Sequence, residues 1–166
     1  MIPSVVMHVL VTMALLCGMS LTPVLPEPKP PAMTAGAVLT VPAADMVEML
    51  ACGIYNEAGG DECSDETRRY VGDVMLNRVD DDRFPDTLEK VLTAPLQYGR
   101  FATTGIVWPE RAKNPGEKHA VERAYRIAEE LLSGQHSELY GQGYVWQAEF
   151  EQGTEGFWQD GLYFGK

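Results

Sequence analysis

The sequence predicts an α+β domain over residues 43–166, with helices first and a small antiparallel β element last. Apolar residues recur at helical spacing between Ala43 and Gly134, whereas the chain beyond Tyr140 turns to glycines and aromatics placed for short strands. A stretch with Pro at 23, 26, 28, 30, 31 and 42 separates this domain from an apolar N-terminal segment. At 166 residues, 45% hydrophobic and 22% charged, the chain has the composition of one globular core.

Residues 1–22 read as a signal peptide or membrane anchor. Val5 to Leu16 is an apolar run of signal length, and Gly18-Met19-Ser20 supplies small residues for cleavage. His8 is the only basic candidate before Lys29, so an uncleaved tether to the membrane is the alternative. Residues 23–42 read as a linker, because repeated proline holds a chain in polyproline-II geometry and removes backbone donors. The domain is thus expected outside the cytoplasmic membrane, as a monomer. Export would favour a disulfide between Cys52 and Cys63, which flank the turn after the first helix.

Within the domain, Ala43 to Ala58 carries apolar residues at 46, 47, 50 and 54, the stripe of an amphipathic helix. Ser64, followed by Asp65 and Glu66, caps a second helix to Val79. Asp80-Asp81-Asp82 reads as a solvated turn, since the Gly and terminal Glu of an EF-hand loop are missing. Pro85-Asp86-Thr87 starts a short helix through Leu92, and Gly99 to Pro115 reads as a long irregular loop. Asn114-Pro115 opens a third long helix that ends at Gly134.

Composition excludes several functions. Lys+Arg 13 against Asp+Glu 24 gives a net charge of −11, the opposite of a nucleic-acid binder's basic footprint. Lys29 and Glu27 are the only base and acid before residue 43, so the acidity belongs to the domain. With three Cys and three His in neither zinc-finger nor zincin spacing, no metal or other cofactor is expected.

Glu57 lies three residues after Ile54 and seven after Leu50, so helical geometry sets it on the apolar stripe. Desolvation raises a carboxyl pKa, which makes a proton donor for glycosidic-bond cleavage. Periodicity alone favours a structural ion pair with Arg78 or Arg100.

Ile54-Tyr55-Asn56-Glu57-Ala58, then Val71-Gly72, Val74, Leu76-Asn77-Arg78-Val79, Phe84 to Leu88 and Leu96-Gln97-Tyr98 resemble, in order and spacing, the SleB/CwlJ-type cell wall hydrolases, the spore-cortex-lytic family. The likeness runs to the terminal Gly161-Leu162-Tyr163-Phe164. It implies a lysozyme-like fold, peptidoglycan as partner, and cleavage of glycan strands at muramic acid by a single Glu, here Glu57. By the same resemblance Gln97 and Tyr98 lie where related lytic enzymes present polar groups to N-acetyl sugars. Asn77 and Arg78 are supporting residues, which either fix Glu57 or close the second helix. Tyr144, Trp146, Trp158 and Tyr163 are candidates to stack on pyranose faces, with at least half of them expected in the core. Where the family usually continues Glu-Ala with Arg-Gly-Glu, this chain has Gly59, Gly60 and Asp61, and its usual C-terminal His is Leu162.

Inverting and retaining glycosidases both require a second carboxylate near the acid. Asp61, Glu62, Glu66, Asp73, Glu149 and Glu151 show no clear claim to that post in sequence, so a lone Glu and lytic transglycosylation are expected. A hydrolytic muramidase, a glycan-binding module without turnover and an acidic protein scaffold are the alternatives.

Overall fold

The computed structural model describes residues 43–60 and 63–166, all within one compact unit. The apolar segment, the proline-rich linker, Asp61 and Glu62 lie outside the described residues.

Helix α1 spans Ala43–Ala58, and its residues Leu50, Ala51, Ile54, Tyr55 and Ala58 are at most 1% exposed. Helix α2 spans Asp65–Asp80, and Ser64 Oγ accepts from the Thr67 amide as its N-cap. The short helix α3, Leu88–Thr93, begins after the predicted Pro85–Thr87 start because Thr87 serves as its N-cap and accepts from the Lys90 amide.

The segment expected to be irregular carries local order instead: helix α4 at Phe101–Thr104 and 3-10 turns at Glu110–Lys113 and Pro115–Glu117. Its anchor is Phe101, 1% exposed in the core, which the loop reading passed over. Asn114-Pro115 opens a 3-10 turn, and helix α5 proper is Lys118–Leu132. Gly134, at φ 91°, turns the chain after α5. Gly72 is the close-approach point of the helices: a Cβ there would collide with Leu131 of α5 and crowd Ile54 of α1.

Strands β1 (Trp146–Ala148), β2 (Gly156–Gln159) and β3 (Leu162–Gly165) form an antiparallel sheet ordered β1-β3-β2. Gln159 pairs with Leu162, leaving Asp160-Gly161 as a two-residue turn with φ 46° and 80°. Such a turn suits the twist of a hairpin and favours Asp-Gly. Asp160 Oδ2 also accepts from the Ser64 amide and Thr67 Oγ1, tying the hairpin to the start of α2. Phe164 fixes the sheet to α2, edge-on to Tyr70 at 5.4 Å between ring centroids.

One face of α2 holds the chain that enters β1. Buried Asp73 accepts from the Ser137 amide and lies 2.7 Å from His136 Nδ1. One turn on, Asn77 Nδ2 donates to the Leu139 and Tyr144 carbonyls, and its Oδ1 accepts from the Gly141 amide. Arg78 Nε donates to the Val145 carbonyl at 2.7 Å. These bonds fix where β1 begins, and β1 reaches the end of α1.

The Cys52–Cys63 disulfide is not formed. Cys52 is a free thiol at 1% exposure inside α1, and burial, aided by Glu48, pushes its pKa up to about 12. Among the described residues, no helix is long and apolar enough to cross a membrane.

Candidate active site

Glu57 stands in the last turn of α1 and is partly buried. Its Oε1 accepts from Asn56 Nδ2 at 2.7 Å, and its Oε2 from Gln147 Nε2 of β1 at 3.3 Å. Burial raises its pKa, while the two amide donors and the charge of Arg78 pull it back down in part. The C-terminal end of a helix is also the negative end of its dipole, which adds to the disfavour of a carboxylate there.

The expected ion-pair alternative is not realised. Neither Arg78 nor Arg100 forms a salt bridge with Glu57 among the described residues; Arg100 reaches the Val107 carbonyl instead. Arg78 is 3% exposed, and its Cζ lies 5.2 Å from the Phe84 ring centre, 5.0 Å from that of Tyr98 and 6.0 Å from that of Trp146. It acts on Glu57 as a nearby buried charge.

Glu57 opens into a cleft of about 490 Å³. Asn56, Gln147, Glu149 and Gln152 supply its polar lining, and Leu96, Ala148, Phe150 and Leu162 its apolar lining. Among the described residues, no Lys or Arg lines it. Leu162, where the resembled family has His, is thus part of the cleft wall. Gly59, the other departure, has no room for a side chain, because a Cβ would collide with the Tyr55 carbonyl oxygen.

The residues singled out from sequence are not all here. Gln97 is partly buried in the turn after α3, where its neighbour Leu96 is the residue that lines the cleft. Tyr98 is 1% exposed beneath Arg78, and burial holds its hydroxyl well above the usual phenol range. It therefore has no exposed ring face for a sugar. Trp146 packs edge-on against Phe84 at 5.8 Å, because successive strand residues face opposite ways and Gln147 takes the side toward Glu57. Tyr144 meets Phe157 at 5.9 Å, and Tyr163 is buried against Trp158, itself 49% exposed. None of these aromatics lines the cleft.

Gln147, Glu149, Gln152 and Phe150 were not singled out as cleft residues. The signal for Gln147 was its alternation with Trp146 in a short strand, and that for Phe150 was an aromatic outside the strand pattern.

The end of α1 and the small sheet thus enclose a cleft around a partly desolvated carboxyl group. The family model described as Cell Wall Hydrolase matches residues 63–161, and the chain belongs to that family. At that level it is an enzyme of the cell wall, with peptidoglycan as its partner. The matched span begins after Glu57, includes Gln147, Glu149 and strands β1 and β2, and ends just before β3. No curated protein and no solved structure matches the chain.

Proposed function

We propose that this protein cleaves peptidoglycan glycan strands at the muramic acid glycosidic bond by lytic transglycosylation, with Glu57 as acid and then base. The observation that carries the reading is a carboxyl group that burial keeps protonated to higher pH than usual, facing an open cleft and held by two side-chain amides, with no salt-bridged cation among the described residues. Glu57 gives its proton to the glycosidic oxygen as the C–O bond breaks and the leaving sugar departs. The resulting carboxylate takes the proton of the muramoyl C6 hydroxyl as that oxygen bonds to C1, closing a 1,6-anhydro ring. The hydroxyl is tethered to the reacting carbon, so its effective concentration exceeds that of water.

The ordered motifs favour the SleB/CwlJ-type branch and a lysozyme-like fold, and the apolar start of the chain favours export. A second reading rests on Glu149, which lines the same cleft. If it activates water or attacks C1, the protein is a hydrolytic muramidase. Digestion of purified peptidoglycan in ¹⁸O-labelled water separates the two: anhydro ends without label support transglycosylation, and labelled muramic acid reducing ends overturn it.

A further inference from the structure

Leu96 is 99% exposed and sits at φ 64°, in the left-handed region. For a residue with a Cβ that conformation is unfavourable, and full exposure of the side chain means that packing offsets none of it. Leu96 lines the cleft that contains Glu57. Phe150, in the turn after β1, is 63% exposed and lines the same cleft. Strain and apolar exposure together, at the mouth of a functional cleft, are where a fold holds a surface for a ligand.

We infer that Leu96 and Phe150 are the gripping residues of the cleft, closing on the C–H faces of one neutral N-acetylated sugar ring. The inference rests on the proposed function for the identity of the polymer. The chemistry of the lining selects the ring over its charged substituents: Asn56, Gln147 and Gln152 offer amides for hydroxyl and acetamido groups, whereas among the described residues no cation lines the cleft and Glu149 repels anions. Apolar side chains at the mouth then cover the dry faces of a sugar whose polar edge reaches inward.

The test measures binding of an uncharged N-acetylglucosamine tetrasaccharide by calorimetry to Glu57→Gln protein, which binds without turnover. Adding Leu96→Gly or Phe150→Ala should weaken binding about tenfold or more. The Leu96→Gly protein should melt no lower than its parent, because glycine accepts the backbone angle freely. Leu96→Asn, which also tolerates that angle, gives a second check on folding. Affinities within about twofold of the parent for both Leu96→Gly and Phe150→Ala would overturn the inference. So would failure of the Glu57→Gln protein to bind the tetrasaccharide while the wild type still degrades purified sacculi, an outcome that leaves the proposed function standing. If the wild type leaves sacculi intact, the proposed function fails, and loss of tetrasaccharide binding on the same substitutions still supports the grip.

Discussion

Gln147 of β1 donates its side-chain amide to Glu57 Oε2 across 3.3 Å, joining the sheet to the end of α1 over 90 residues of chain. The contact depends on α2, whose Asn77 and Arg78 hold the residues that lead into β1. Glu57 is therefore set between a helix end, which disfavours its charge, and a strand that offers a donor to it.

Glu57→Gln keeps shape and most hydrogen bonding but removes the proton, so turnover of peptidoglycan should fall by roughly 10²–10⁴-fold. The same substitution should change the dependence of stability on pH. Because the folded pKa of Glu57 is raised, the native state holds a proton that the unfolded state releases. Wild-type stability is complete below the unfolded carboxyl value of about 4.3 and declines as pH rises through the folded value. The variant should thus melt above the wild type at neutral pH, with the gap closing below about pH 4. Thermal melts of both proteins across that range check it, and wild-type turnover in the variant would remove Glu57 from the chemistry.

Gln147→Leu removes a donor that favours the ionised form of Glu57. The acid should then stay protonated to higher pH, and the alkaline limb of the kcat/KM profile should move upward. A profile displaced downward, or not at all, would show that the amide does not tune the acid.

Much of this arrangement was legible in sequence, and the rest was hidden for physical reasons. The stripe through Leu50 and Ile54 to Glu57 has the period of a helix, and Ser64-Asp65-Glu66 is a local cap, so both could be read from neighbours in the chain. Asp160-Gly161 was an equally local signal, for a tight hairpin, and was passed over in favour of the aromatics around it. The partners of Glu57 were not local. Which β1 residue meets α1 is decided by α2 through Asn77, a contact spanning 62 residues to the Leu139 carbonyl. Tyr98 and Leu96 show the same limit in the opposite sense: two residues apart in a turn, the aromatic is buried and the leucine is exposed.

Asn77→Ala should destabilise the domain by about 2–4 kcal/mol, since two donor bonds and one acceptor bond to the main chain are lost and three backbone groups lose their partner. Asn77→Asp keeps the acceptor for Gly141 and loses both donors, so it should also destabilise, by placing a carboxylate against two carbonyls. Chemical denaturation measures both. A loss below about 0.5 kcal/mol in the alanine variant, the scale of an ordinary surface change, would mean that β1 is positioned by other contacts.

Glu149→Gln decides whether the second carboxylate of the cleft takes part in the reaction. Glu149 is exposed, whereas Glu57 is partly buried and amide-bonded, so the two are not equivalent. In lytic transglycosylation Glu57 both gives and takes the proton, and the nucleophile belongs to the substrate. Loss of Glu149 should then lower kcat by less than about tenfold, with 1,6-anhydromuramoyl ends still the product. A hydrolase would depend on Glu149 as base or nucleophile, and its removal should cost about 10²-fold or more in kcat. Product masses and initial rates on the same peptidoglycan distinguish the outcomes. A large loss of rate together with free muramic acid reducing ends in the wild-type digest would assign Glu149 the post that sequence left empty.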